Sequence, residues 1–298
     1  MKKNININKT LIKNIINYGR KFFKEYLENE GFNNEKLQNN WWEALRFFFA
    51  HSFYRGRSDE LSNRYYHFTI EVLEDYLDIH NEFDKAYKKL MEQKAEFDIK
   101  NLKTLGRKKN IVDSNNFQKI RENNFIIKSL TSPRIIKTKK EPKPTSLRNI
   151  EDIMMVLNVL NFITEEGREN IYRYLKQKII NSKIEEVYTE LVNIRAIGDK
   201  IASLIIRDIG LISREASEII KKTPEFAFPI DTLIRNRIVP EFIEQKERKN
   251  DKEIKKFFIN KCQEYFIDDI LEFAAGLWYI ASNSLYISLD LLSKLNND

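Results

Sequence analysis

The chain has 298 residues, with 51 Lys or Arg, 44 Asp or Glu and a formal charge of +7. Its hydrophobic content of 42% excludes an extensively disordered chain, and no apolar run is long enough for a transmembrane helix. A single cysteine, Cys262, excludes both a disulfide within the chain and a four-cysteine iron–sulfur cluster. The expected location is therefore intracellular, in the cytoplasm or nucleoid, with no membrane partner.

The basic balance suits a polyanionic partner, although a composition rich in Lys, Asn and Ile also follows from AT-rich coding. The three histidines, His51, His67 and His80, show no metal-ligand spacing with cysteine or with each other. We therefore expect no metal cofactor.

Low numbers of Gly and Pro favour long helices, and apolar periodicity predicts where these lie. The predicted N-terminal helices cover about 11–27 (ending near Gly31), 35–51, 58–77 and 82–98. Periodicity fades over 99–147, and the segment 131–146 combines three prolines with five Lys or Arg. We predict an exposed loop there, as a solvated linker or as a contact for DNA phosphates.

Helical periodicity resumes at Leu147 and continues towards the C-terminus. Residues 211–224 are predicted to form a helix and a turn, and another helix is expected between Asp231 and about Ile243. A charged turn and two more helices follow, the last of them rich in aromatic residues. The sequence therefore predicts an all-α protein.

Two short helices flank a tight turn with the sequence Ile-Arg-Ala-Ile-Gly-Asp-Lys at 194–200. Gly198 is expected to provide the positive φ of the reversal, and the turn would direct backbone N–H groups towards a phosphate. Lys200, Ser203 and Arg207 are predicted to share a polar face opposite the apolar stripe. An ordinary helical hairpin inside a core would have the same pattern.

Lys200 and Asp231 carry the chemistry that this segment suggests. Lys200 lies in the first turn of its helix, where the dipole disfavours an ammonium and so favours the neutral amine that acts as a nucleophile. Asp231 follows Pro229 and precedes an apolar run, which is typical of an N-cap. Capping alone would also explain Asp231, and a solvated surface lysine would explain Lys200.

The turn and the Ile-Asp-Thr sequence at 230–232 together resemble the helix-hairpin-helix DNA glycosylases. The resemblance covers roughly 155–238, about a quarter of the chain. Ala196, Arg195 and Leu233 stand where the family has glycine, proline and histidine. The 31-residue interval from Lys200 to Asp231 is closest to the archaeal oxidised-guanine branch.

The resemblance implies two helical domains with a cleft between them. One would contain 1–40 and 225–298, and the other 41–224 with the helix-hairpin-helix at 183–210. It also implies a bifunctional glycosylase and AP lyase that removes a damaged base, an oxidised purine such as 8-oxoguanine, from double-stranded DNA. The expected state is a monomer without an iron–sulfur cluster, and a monovalent cation at the hairpin is one candidate ligand.

The residue roles follow from the same resemblance. Lys200 would attack the sugar and Asp231 would assist it, while the backbone or side chains of the turn and its following helix would bind DNA: Arg195, Ala196, Gly198 and Ser203. The candidate base pocket contains Trp278, Tyr279, Phe48 and Ser52, although core packing would equally place these residues inside. Two other functions remain open, a non-catalytic DNA-binding module and a purely structural helical protein.

Overall fold

The computed structural model describes residues 7–54, 59–97, 114–136, 142–243 and 250–283. Within these ranges the protein has fifteen α-helices and one two-stranded sheet, so the all-α prediction is confirmed. None of the helices in the described ranges is long and apolar enough to cross a membrane. Residues 244–249 of the predicted charged turn and all of the basic stretch 99–113 lie outside the described residues.

Within the described ranges, seven helices precede the two strands and eight follow them. The first seven helices are α1 (Lys9–Phe22), α2 (Asn34–Asn39), α3 (Trp41–Ser52), α4 (Asp59–Leu77), α5 (Ile79–Glu92), α6 (Asn115–Glu122) and α7 (Phe125–Thr131). Two strands come next, β1 (Arg134–Ile136) and β2 (Lys143–Thr145). The remaining helices are α8 (Ile150–Ile163), α9 (Ile171–Ile180), α10 (Ile184–Asn193), α11 (Asp199–Ile212), α12 (Arg214–Ile220), α13 (Val239–Phe242), α14 (Asp251–Gln263) and α15 (Ile270–Ser282).

The chain divides into two compact units. Unit 1 contains the chain up to Lys36, the segment Lys176–Tyr188 and the chain from Ala202 onward, and unit 2 contains Leu37–Leu175 and Thr189–Ile201. The division expected from the resemblance assigns all of 41–224 to one domain. It therefore differs from the observed units at 37–40, 176–188 and 202–224.

In unit 1, α1 packs along α15 with direct contact between the two backbones. A Cβ added at Gly19 would lie 1.8 Å from the carbonyl oxygen of Glu272, and one added at Gly276 would lie 1.9 Å from that of Ile15. Both distances are far below van der Waals contact, so glycine is required at both positions. Around this crossing the apolar faces of α1 and α15 are buried.

The end of the first helical segment matches the prediction at Gly31. A π-helical turn, Phe23–Glu28, extends α1, and Gly31 then adopts φ +77. The N–H of Phe32 donates to the Leu27 carbonyl and that of Gly31 to the Glu28 carbonyl, both at 2.9 Å. This pair of bonds is a Schellman motif, which satisfies carbonyls that the helix end would otherwise leave without partners.

In unit 2, the single helix predicted over 35–51 is wrong, because Asn40 divides it into α2 and α3. Asn40 has extended backbone angles, and its Oδ1 accepts the N–H groups of Trp42 and Glu43 at 3.0 and 3.1 Å. A short polar side chain competes with the helical backbone in this way and favours a cap. Apolar periodicity alone does not indicate such a break between two helices.

The exposed loop predicted over 131–146 is also wrong in part. β1 and β2 pair in antiparallel register, with Ile135 opposite Pro144, and residues 137–141 between them lie outside the described residues. Ile136 is buried, while the N–H of Leu147 after β2 donates to the Leu130 carbonyl at 2.9 Å. Alternation of exposed and buried side chains over three residues was too short a pattern to separate from a loop.

We predict that Gly276→Ala lowers the free energy of unfolding by about 3 kcal/mol or more, because the new methyl group overlaps the Ile15 carbonyl and α1 and α15 must separate. Urea denaturation of the purified protein measures the change. Gly198→Ala is the matched control, since an added Cβ there meets no atom within 4 Å. A Gly276→Ala variant as stable as the control would contradict the close crossing.

Candidate functional site

The turn between α10 and α11 is closed by a hydrogen bond from the Ile197 N–H to the Ile194 carbonyl, at 3.0 Å. Ala196 has φ +66, whereas Gly198 is not among the residues with positive φ. The prediction that Gly198 provides the left-handed conformation is therefore wrong, and Ala196 provides it. A four-residue turn with positive φ only at its third position is of type II, which favours proline at the second position and glycine at the third.

Arg195 stands at the second position of this turn and is tied to unit 2. Its Nε and Nη2 donate to the two carboxylate oxygens of Glu151 at 3.1 and 2.8 Å. Glu151 lies in the first turn of α8, so the ion pair fixes the turn to the start of that helix. A phosphate that approached the Arg195 guanidinium would have to compete with this carboxylate.

Lys200 is the second residue of α11 and is half-buried. Its Nζ donates a hydrogen bond to the carbonyl oxygen of Tyr54, at 2.9 Å. Tyr54 follows the last turn of α3, and both residues belong to unit 2. The amine is therefore held close to the end of α3, at a defined position beside the turn.

The polar face predicted for α11 is inside the protein from Ser203 onward, because every residue from Ile201 to Gly210 is buried. Ser203 accepts a hydrogen bond from the Lys255 amine at 3.4 Å within unit 1. Arg207 donates to the carboxylate of Asp208 at 2.6 and 3.1 Å and lies over the ring of Phe22. These polar groups tolerate burial because they have partners inside the unit, so Ser203 is not placed to contact DNA.

Asp231 caps a helix, as its sequence context predicts. Its Oδ1 accepts the N–H of Ile234 at 2.8 Å, and its carbonyl accepts the N–H of Arg235 at 2.9 Å. The capped segment passes through a π-helical turn, Ile234–Ile238, into α13. Asp231 is only 8% exposed and belongs to unit 1, whereas Lys200 belongs to unit 2.

Trp278 and Tyr279 are core residues of unit 1, which corrects their assignment to a base pocket. The Trp278 ring meets Phe22 and Tyr26 edge-on at 5.5 and 5.8 Å. The Tyr279 hydroxyl donates to Glu25 at 2.8 Å, and burial together with this hydrogen bond raises the pKa of that hydroxyl. Both rings are used to join α15 to the first helical segment.

Phe48 and Ser52 are likewise buried, in unit 2, and the pocket prediction for them is corrected in the same way. Phe48 is a core residue of α3, and the Ser52 hydroxyl donates to the Phe48 carbonyl at 2.8 Å. A serine four residues after a carbonyl on the same helix commonly makes this bond, which satisfies the hydroxyl without any ligand.

Cys262 is a buried thiol in α14 that donates to the Phe266 carbonyl at 3.4 Å. Burial raises the pKa of this thiol to about 12, and the nearby carboxylates of Asp269 and Glu272 act in the same direction. In the described ranges no three His, Cys, Asp or Glu side chains gather as a metal site would require.

Two groups beside Lys200 and the turn are absent from the sequence-based prediction. The Tyr54 acceptor is a backbone carbonyl, so no residue type could have signalled it. Glu151 lies 44 residues before Arg195, and an acidic residue in a first helical turn is common enough that its long-range pairing leaves no pattern in the sequence.

We predict that Ala196→Gly raises the free energy of unfolding by about 0.5–1 kcal/mol, because glycine adopts φ +66 without the Cβ clash that alanine suffers. Thermal or urea unfolding measures the change. Ala202→Gly, a buried helical position in α11, is the control and should destabilise the protein. Equal loss of stability in both variants would show that Ala196 is not strained.

Comparison of the chain with protein-family models, with curated proteins and with solved structures gave no match.

Proposed function

We propose that the protein is a DNA base-excision glycosylase with AP-lyase activity, in which Lys200 is the nucleophile. The observation that carries the proposal is the turn itself. Ala196 has the left-handed conformation, Gly198 has open space at its missing Cβ, and Lys200 follows in the first turn of α11. These three positions are the ones that the helix-hairpin-helix resemblance assigns to the two glycines and the lysine.

The start of α11 has the properties of a phosphate site. The first N–H groups of a helix have no partner within the helix, and the dipole favours an anion beside them. No atom of the described residues lies within 4 Å of a Cβ built at Gly198, which leaves room for a phosphate oxygen beside this backbone. The proposed ligand is the backbone of double-stranded DNA next to a damaged base, with Gly198 and Ala196 contributing main-chain contacts.

The proposed reaction begins after the damaged base has been flipped out of the duplex. The neutral Lys200 amine attacks the sugar C1′, and the base leaves with the electron pair of the glycosidic bond and takes up a proton. Opening of the sugar ring gives a Schiff base between Nζ and C1′. Loss of a C2′ proton then allows β-elimination of the 3′ phosphate, so the strand is cut after the base is removed.

Asp231 is the proposed partner of Lys200 in this reaction. Its carboxylate would accept the proton that the lysine loses and would stabilise positive charge that develops on the sugar. Its hydrogen bond to the Ile234 N–H fixes the side chain at a helix start. The role requires both Lys200 and Asp231 in the reaction, and a separate variant tests each residue.

The substrate proposed is an oxidised purine, with 8-oxoguanine as the first choice, and the active species is a monomer without an iron–sulfur cluster. These details rest on the family resemblance and on the single cysteine. They extend the proposal beyond the geometry of the turn.

A non-catalytic DNA-binding protein is the second candidate, and one observation favours it. All four residues assigned to the base pocket, Phe48, Ser52, Trp278 and Tyr279, are buried in the cores of their units. A phosphate clamp needs no base pocket and no nucleophile. Duplex binding without any covalent chemistry would select this candidate.

We predict that sodium borohydride traps the protein covalently on a duplex with 8-oxoguanine or an abasic site, because borohydride reduces the Schiff base on Lys200. The adduct is measured as a shifted band on a denaturing gel. Lys200→Gln should abolish it, whereas Lys222→Gln, an exposed lysine on the same chain, should retain it. If the Lys200→Gln protein is trapped as well as the wild type, another amine is the nucleophile.

We predict that Asp231→Asn retains duplex binding and lowers base-removal turnover by about 100-fold or more, a typical loss for a general base. Asparagine caps a helix as well as aspartate does, so the bond to the Ile234 N–H is kept and only the charge is lost. Single-turnover kinetics measure the rate, and unfolding curves confirm the fold. Full turnover in this variant would remove Asp231 from the chemistry.

A further inference from the structure

One short region of unit 2 is strongly basic. Residues 114–148 contain nine Lys or Arg and two Glu, a formal charge of +7. The described parts of this region, 114–136 and 142–148, hold six of these cations and one of the acids. A net positive charge of this kind attracts polyanions.

An aromatic ring is held on the surface within this region. Phe125, the first residue of α7, is 61% exposed, and one side of its ring stacks on Tyr76 of α4 at 5.8 Å. The backbone around it is fixed, because Asn124 donates to the Glu96 carbonyl at 2.8 Å and caps α7 through the Ile127 N–H at 2.9 Å. Little conformational entropy remains to be lost when a ligand contacts this ring.

The β-hairpin contacts the same part of α4 through one of its two faces. Arg134 of β1 pairs with Asp75, the neighbour of Tyr76 in α4. Successive side chains of a strand point to opposite faces, so Lys143, which lies opposite Ile136 in the register, shares the face of Arg134, whereas the exposed Ile135 lies on the other face. The start of α7 and the Lys143 face of the hairpin therefore flank one short stretch of α4.

Two exposed lysines belong to these elements. Lys128 lies one turn after Phe125 on the exposed face of α7, and Lys143 is the first residue of β2. In the part of the chain that the structure describes, neither lysine is engaged by a carboxylate. We call Phe125, Lys128 and Lys143 the α7–hairpin surface.

We propose that the α7–hairpin surface binds single-stranded nucleic acid, with an unpaired base stacked on Phe125 and phosphates near Lys128 and Lys143. Cations interleaved with a presented aromatic ring suit a strand that offers both phosphates and base faces. A duplex interior offers phosphates but keeps its base faces stacked on one another, so it leaves Phe125 unused. An anionic membrane would use the lysines and would bury the Phe125 ring without any requirement for bases.

The proposal goes beyond the proposed glycosylase activity and does not depend on it. The α7–hairpin surface lies wholly in unit 2 and uses neither Lys200 nor Asp231. Binding is tested on oligonucleotides without a lesion, so the absence of base removal would not change the measured affinity. The absence of oligo-dT binding would likewise leave the test of base removal unchanged.

The test is fluorescence anisotropy of a labelled 20-nucleotide oligo-dT with the full-length protein across a salt series. We expect Phe125→Ala to weaken binding by about tenfold, which corresponds to the loss of one stacked base. The double variant Lys128→Ala, Lys143→Ala should weaken binding and reduce the slope of log affinity against log salt by about 1.4, because each phosphate contact to a single strand contributes about 0.7.

Phe83→Ala and Lys88→Ala are the matched controls. Phe83 is an exposed aromatic and Lys88 an exposed lysine on α5 of the same unit, and both variants should bind oligo-dT as the wild type does. Unchanged affinity in Phe125→Ala would overturn the proposal. Equal affinity for oligo-dT and for an abasic strand of the same length, or Phe125-dependent binding to phosphatidylserine vesicles without oligo-dT binding, would overturn it as well.

Discussion

The backbones of α1 and α15 touch at Gly19 and Gly276, and the core of unit 1 is arranged around that contact. Because the two helices approach so closely, the side chains beyond the crossing meet as a compact aromatic group in which Trp278 lies edge-on to Phe22. Phe22 in turn supports the guanidinium of Arg207 from α11, at 4.7 Å from its ring centroid. A wider crossing would leave a gap at each of these contacts and would expose the buried charge to water.

The core of unit 1 also contains the buried ion pair between Arg207 and Asp208. A fully buried ion pair between sequence neighbours is costly to desolvate. Here the two groups bond to each other, while Nη1 of Arg207 has no hydrogen-bond partner among the described residues. The guanidinium gains a further contact from the Phe22 ring. The part of α11 that belongs to unit 1 is buried on all sides from Ala202 to Gly210, so this segment cannot shift without breaking the core of that unit.

Much of the helical architecture follows from sequence periodicity, because long apolar stripes and simple caps decide helix positions locally. Gly31 ends the first helical segment and Asp231 starts a later one, in both cases where residue type predicts it. The prediction fails where a single side chain overrides the periodicity, as Asn40 does. It also fails for Ser203, because the sequence pattern shows which residues are polar but not that partners such as Lys255 lie inside the fold.

The candidate site was likewise predictable only in part. The turn and the lysine at the start of α11 were predictable from the order of residues, whereas the left-handed residue is Ala196 rather than Gly198, since backbone angles depend on the turn type and not on glycine content alone. The pocket aromatics could not be separated from core aromatics by sequence, because α15 is apolar around its whole circumference. Only the packing partners of Trp278 and Tyr279 decide the matter.

Alkylation of the buried Cys262 thiol can report local opening of the protein. Thiolates, not thiols, react with alkylating reagents, and a pKa of about 12 keeps nearly all of this group protonated at neutral pH. With one cysteine in the chain, every modified molecule records an event in which α14 has moved away from its neighbours. The rate of alkylation thus measures the frequency of partial unfolding in unit 1, with no label added and no residue replaced.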